Sequence, residues 1–202
     1  MSRQLVFIVF WFLIGVIQIS STEVNPDDDD LPFLTANVIK LADTTIGEYK
    51  FMRRAIWIDK SPLEIWDLLT NPEEIKNFMP KLKKYELLES YPDSQIFLCA
   101  AKPKWYLKTY ECKVSVILQP FSEIWWIRTD GDFDEFRCCW LLEQQNDSST
   151  MATYHIYMEL GGIIPEFLVK WGVKKGLDEM MGYCQEWIES KSTDKEKTDQ
   201  QK

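Results

Sequence analysis

The chain has little histidine, little basic charge and none of the short motifs that mark common catalytic sites. Its single histidine, His155, and the lack of any C-x-x-C spacing leave no ready donor set for zinc. No G-x-S-x-G or P-loop occurs, so neither a nucleophile elbow nor a phosphate cradle is expected, and no catalytic residue, metal or cofactor is assigned. Lys and Arg number 23 against 32 Asp and Glu, a formal net charge of −9. That balance excludes a general nucleic-acid surface, because phosphate binding needs a basic face that releases counterions. The basic run Lys81-Leu82-Lys83-Lys84 is too short to reverse it. There is no internal repeat. The one long uncharged apolar run, Leu5–Ile19, is shorter than the roughly twenty residues of a spanning helix.

That run follows Met1-Ser2-Arg3-Gln4 and precedes the small residues Ser20, Ser21 and Thr22. The order is that of a secretory signal peptide over residues 1–21, or of an uncleaved signal anchor, for which Trp11, Phe12 and the missing A-x-A site speak. Either way the domain is expected on the exported side: secreted, in the secretory pathway or periplasm, or membrane-anchored. Residues 22–45, with Asp27–Asp30, read as an acidic linker and lead-in, and 46–190 as the folded domain. The tail 191–202, without an apolar residue, is expected to be disordered. Asn146-Asp147-Ser148 is a glycosylation sequon in an expected turn.

Within the domain, Tyr49–Ile58 reads as a strand, and Ser61 and Pro62 start a helix carrying Ile65, Trp66, Leu68 and Leu69. Asn71-Pro72 breaks it, and Glu73–Phe78 makes a second short helix. Six strands follow: Leu82–Ser90, Gln95–Ala101, Leu107–Leu118, Ser122–Thr129, Asp134–Gln144 and Met151–Leu160. From Pro165, Val169, Val173, Leu177, Met180, Cys184 and Trp187 recur at spacings of four and three, the apolar stripe of a helix reaching about Ser190. Lys174, Lys175, Asp178, Glu179, Gln185, Glu186 and Glu189 fall on its other side. A striped helix after alternating strands calls for a helix laid on one face of an antiparallel sheet.

Alternation assigns Tyr110, Cys112, Val114, Val116 and Leu118, then Ile124, Trp126 and Arg128, then Phe136, Cys138, Trp140 and Leu142, then Tyr154, Ile156 and Met158, to the inward face. His155 then points outward with Thr153 and Tyr157. If Lys102–Trp105 turns between two strands, Cys99 and Cys112 lie opposite each other and could form a disulfide; equally, all five cysteines could be small core residues. Arg128, on an apolar face, must find an anion or reach water from its strand end. Gly172 and Gly176 either let sheet or ligand approach the helix or are simply tolerated there.

Two segments carry a family resemblance. Ile58-Asp59-Lys60-Ser61-Pro62-Leu63-Glu64-Ile65-Trp66-Asp67-Leu68-Leu69 resembles the opening strand and first helix of the helix-grip superfamily of birch-pollen-type allergens, coenzyme-Q-binding proteins and polyketide cyclases. Glu159-Leu160-Gly161-Gly162-Ile163-Ile164-Pro165-Glu166-Phe167-Leu168-Val169 resembles the narrower pattern of the START lipid-binding domains: an acidic residue, Pro-Gly-Gly, then Ile-Pro and a bulky pair. Leu160 replaces the usual proline, and Lys108-Thr109-Tyr110-Glu111-Cys112 stands where START domains commonly carry Arg-Asp. The resemblance implies an α+β helix-grip fold: a curved antiparallel sheet of about seven strands wrapped around a long C-terminal helix, with two short helices after the first strand.

It also implies a monomer that binds a hydrophobic small molecule such as a lipid in an internal cavity and transfers or presents it at a membrane. The candidate ligand contacts are Tyr110, Trp126, Arg128, Trp140, Tyr154, Met158, Val173, Leu177 and Met180. Phe167 and Trp171 are either membrane contacts at the cavity mouth or packed under the loop before the helix. The alternatives are a cyclase- or hydrolase-like enzyme using the same cavity, which acidic or phenolic groups of raised pKa would favour, and a non-catalytic interaction domain with a filled core.

Overall fold

Short turns between strands of similar length favour a meander, and the chain forms one. In the computed structural model, which describes residues 38–102, 108–160 and 166–199 and not the side chains of 166–168 or 192–199, the order is β1 (Ile39–Ile46), β2 (Tyr49–Ile58), α1 (Pro62–Leu69), α2 (Pro72–Phe78), β3 (Leu82–Ser90), β4 (Ser94–Ala101), β5 (Tyr110–Gln119), β6 (Glu123–Gly131), β7 (Glu135–Asn146), β8 (Ser149–Glu159) and α3 (Glu166–Asp199). The signal segment, Asp27–Asp30, Gly161–Pro165, most of the Lys102–Trp105 turn and the Phe167 side chain lie outside the described residues. All described elements belong to the unit Leu34–Lys202. The single antiparallel sheet runs β1-β2-β8-β7-β6-β5-β4-β3, and α1 and α2 carry the chain from β2 to its far edge at β3. Together with α3 this is a helix-grip fold.

Most strand edges differ from the expected ones by one to three residues, and the larger differences lie at the two ends of the domain. The described sheet has eight strands, because β1 lies within the presumed lead-in, so the short helices follow the second strand. Lys40, Asp43, Thr44 and Thr45 break the alternation of β1, and a register shift separates Leu41 from Thr44, both common on edge strands. Its hairpin turn was readable: Gly47, at φ +61°, supplies the first central position of a two-residue loop. At the other end α3 runs to Asp199, past the helix end expected near Ser190.

Local signals act as expected at the short helices. Ser61 Oγ accepts from the Glu64 amide, and the Glu64 carboxylate accepts from the Ser61 amide at 3.1 Å, a reciprocal capping box. Asn71 Oδ1 accepts from the Glu73 amide at 3.0 Å and opens α2. These caps fix helices that bury Ile65, Trp66, Leu69, Ile75 and Phe78.

The inward face of α3 is turned relative to the expected stripe. Leu177, Met181, Cys184 and Ile188 are buried, whereas Val173, Met180 and Trp187 are only partly so. Gln185, expected outside, is also buried. The cause is an interaction the apolar pattern does not encode. Arg54, on the inner face of β2, donates through Nε to Asp178 at 2.5 Å and through Nη1 to its neighbour's carbonyl at 2.8 Å. Its side chain is 8% exposed, so Asp178 must turn inward to meet it. Lys81 holds Glu179 at 2.6 Å, and Lys191 holds Glu74 of α2 at 3.0 Å.

The other face of the sheet also buries side chains. His155 lies on the outward side as expected, yet it is buried beside Phe51, with ring centroids 6.3 Å apart, and Nε2 has no partner. Burial pushes its pKa below the ordinary histidine value; Arg53 adds to this and Glu123 opposes it.

Two predictions follow from these charges. Asp178→Ala, which strands Arg54, should cost about 2–4 kcal/mol in urea unfolding, the buried-pair penalty discounted for the partial exposure of Asp178. Pairing Arg54→Met with Asp178→Leu should recover much of that loss. Because the folded pKa of His155 is depressed, its stabilising share is present above the unfolded value of about 6.5 and lost as pH falls through the folded pKa. His155→Phe should therefore reduce the fall in urea midpoint between about pH 7.5 and 5.

Candidate functional site

The inner face of the sheet, under α3, gathers a few polar groups among aromatic and aliphatic side chains. Tyr85, on the edge strand β3, stacks on Phe97 with centroids 4.3 Å apart, and its hydroxyl accepts from Trp126 Nε1 at 3.0 Å. Tyr154 packs against Trp140, ring centroids 4.9 Å apart, with the Cys138 thiol beside its hydroxyl. Burial drives both Tyr85 and Tyr154 above the usual phenol range and Cys138 up to about 12, so all three stay protonated at neutral pH. The indole Nε1 of Trp140 is buried without a partner.

Arg128 keeps the alternation of β6, and a bulge follows it at once. Val114 pairs with Arg128 but Lys113 pairs with Asp130, so Thr129 is an extra residue on β6. Arg128 thus remains on the inner side with Trp126, while Gly131 comes opposite Cys112. Gly131 has φ +119°, and a Cβ there would lie 2.4 Å from the Glu111 carbonyl oxygen, so a side chain is excluded on both counts. Arg128 Nη2 donates to the Gly131 carbonyl at 3.1 Å, and its buried Nε has no partner. The guanidinium is therefore pinned at one corner to its own strand end.

Around it, Phe133 stacks on Tyr110 at 5.7 Å and contacts Phe136 at 5.8 Å. Lys108 lies 4.9 Å from the Tyr110 ring centroid and bridges to Asp132 at 2.8 Å. Lys108 and the Glu111 amide, which also donates to Asp132, hold that carboxyl below its usual range. At this end the inner side chains Met52, Phe136, Met158, Val173 and Met180 are only partly buried, whereas Leu177, Met181, Cys184 and Ile188 seal the later part of α3.

The sequence-chosen residues divide accordingly. Tyr110, Trp126, Trp140, Tyr154 and Leu177 are buried, and Arg128, Met158, Val173 and Met180 are half-buried toward the looser end. Trp171 is 67% exposed. Asn146 is exposed at the end of β7, where its side-chain oxygen accepts from the Ser148 amide at 3.0 Å. Cys99 and Cys112 do pair across β4 and β5, but as free thiols, so the candidate disulfide is not formed in this structure. A Cβ at Gly172 or Gly176 would meet nothing within 4 Å, so neither glycine serves a close approach. Tyr85, Phe133 and the Arg54–Asp178 pair were missed. Tyr85 had a signal, its apolar alternation with Leu87; Phe133 lies in a turn, where periodicity is silent.

A curved antiparallel sheet gripping a C-terminal helix over an apolar face with few polar groups defines the helix-grip class of small-molecule-binding domains. Within that class, the chain belongs to the polyketide cyclase / dehydrase and lipid transport family, whose family model matches residues 58–182. A search of curated protein sequences finds no match. Among solved structures, a START superfamily protein from Mycobacterium smegmatis is similar with a TM-score of 0.61 and 15% identity, over 69% of this chain and 97% of that one. A STAR-related lipid transfer protein fragment from Xanthomonas axonopodis gives 0.60 and 13%, over 75% and 97%. The Zhui aromatase/cyclase from Streptomyces sp. R1128 gives 0.57 and 12%, over 68% and 92%. At these identities the likeness shows the fold.

Proposed function

We propose that this protein binds one hydrophobic molecule with an anionic head, such as a lipid, between the inner sheet face and α3, and carries or presents it. The observation that carries this reading is Arg128, a cation on the inner face whose buried Nε is unsatisfied. Leaving a buried polar group unpaired costs about 1–3 kcal/mol, and a carboxylate or phosphate would remove that cost with a charge-assisted hydrogen bond. Trp140 Nε1 is a second unmet donor on the same face. Membership of a family that includes lipid transport supports the ligand class.

Exchange would proceed by loosening of the first turns of α3, where the inner side chains are least covered, desolvation of the ligand tail, and closure. Exposed Trp171, with Lys174 and Lys175 exposed nearby on the same helix, supports brief contact with a membrane during exchange. The N-terminal apolar run supports an exported or membrane-anchored location, and the net charge supports partners other than nucleic acid. The domain would act as a monomer.

A cyclase-like activity is the second reading, favoured by the desolvated phenols of Tyr85 and Tyr154 and by the fold shared with an aromatase/cyclase. A neutral phenol there would donate a proton or hydrogen bond to an enolate oxygen. Under this reading, Tyr154→Phe should abolish turnover of a polyketone substrate while leaving its binding intact; equal turnover in both proteins would remove the reading.

Native mass spectrometry of protein from its own host, followed by extraction, should show one co-purifying apolar molecule per chain. Arg128→Gln should weaken binding of dodecanoate roughly ten- to a hundredfold, the worth of one charge-assisted hydrogen bond, and leave dodecanol little changed. A ligand-free preparation that also rejects apolar dyes would overturn the carrier reading in favour of a filled-core interaction domain.

A further inference from the structure

Cys99 and Cys112 are direct partners across β4 and β5, and Cys112 faces Gly131 on its other side. Opposed residues of an antiparallel pair have Cα atoms about 4.5–5.5 Å apart, within the roughly 4.4–6.8 Å that a disulfide spans. Both thiols are free. Their closeness makes them unlike. The Cys99 thiol draws Cys112 below the usual thiol range; burial opposes this and the nearby Arg128 guanidinium reinforces it. The Cys112 thiol, with burial, pushes Cys99 up. The other cysteines are placed differently: Cys138 lies beside Tyr154, Cys139 points to the opposite face, and Cys184 is buried in apolar surroundings on α3.

Arg128 is thus shared between two possible partners. Its Nη2 is tied to the Gly131 carbonyl directly across from Cys112, and its Nε is unmet. Negative charge on Cys112 would satisfy the guanidinium from within the protein.

We infer that Cys112 and Cys99 form a reversible dithiol–disulfide pair whose state sets the affinity of Arg128 for an anionic head group, an inference that rests on the ligand-binding reading above. The oxidant is a small dialkyl disulfide. The Cys112 sulfur loses its proton to solvent and attacks one sulfur of the oxidant; the S–S bond breaks, and the departing thiolate takes up a proton. Cys99 then loses its proton and displaces the second thiolate from Cys112, and that thiolate is protonated in turn. Two S–H bonds of the protein become one S–S bond, and the oxidant is reduced to two thiols. In the reduced state the polarised Cys112 thiol competes with ligand for Arg128. In the disulfide neither sulfur can ionise, so the cation's field is left to the ligand.

The test equilibrates the full-length chain with oxidised and reduced glutathione at several ratios, traps free thiols by alkylation and maps the bonds by mass spectrometry. Calorimetry then measures dodecanoate and dodecanol binding in each state. The expected result is a single Cys99–Cys112 bond and dodecanoate binding at least about fivefold tighter in the oxidised protein, with dodecanol indifferent. Arg128→Gln and Cys99→Ser should each erase the redox dependence. Failure of the bond to form, its formation between other cysteines, or equal dodecanoate affinity in both states overturns the inference. If both probes bind but ignore the redox state, only the coupling falls. If neither binds in either state, the ligand-binding reading fails and the coupling falls with it.

Discussion

The ion pair between Arg54 and Asp178 is the constraint on which the arrangement of the inner face depends. A guanidinium on the buried side of β2 cannot be left without a counter-charge, so α3 must present Asp178 to it. Once Asp178 is fixed, helical geometry determines the rest: Leu177, Met181, Cys184 and Ile188 turn into the sheet, and Val173 and Met180 move to its margin. The later turns of the helix become a seal and the earlier turns a loosely seated lip. Salt bridges from Lys81 and Lys191 secure the later turns.

Much of the fold was legible because its elements obey simple periods. β2 and β3 fall where alternation put them, Ser61 caps the helix it was expected to cap, and the break expected at Asn71-Pro72 is there, with Asn71 capping the next helix. The assignments of Trp126, Trp140 and Tyr154 to the inner face also hold. What escaped depended on features with no period. The edge strand β1 is too polar and bulged to alternate, and the rotation of α3 is set by one charge pair 124 residues apart in sequence. His155 sits on the predicted face but is buried there, because alternation tells direction and not what covers it. Phe133 enters the site from a turn, where spacing carries no information.

The inner face also joins satisfied and unsatisfied polar groups. Tyr85 with Trp126 is a closed pair that costs little to keep. Arg128 Nε and Trp140 Nε1 are open, and an open donor in an apolar setting is a standing expense that packing elsewhere must offset. Such a division gives the face one closed pair and two groups whose needs an incoming molecule can meet.

The bulge at Thr129 has a consequence for how this site can change over generations. Beyond it, β6 is out of step by one residue, and Gly131 stands opposite Cys112 because of that step. Gain of a single residue between Arg128 and Gly131, with the one-residue bulge kept, would set a side chain where Gly131 now stands, against the Cys112 backbone, whereas loss of Thr129 would only close the bulge. The chemistry at this end is therefore written in the length of the chain as much as in its residues. Lineages of this protein should tolerate substitution along β6 more readily than insertion there.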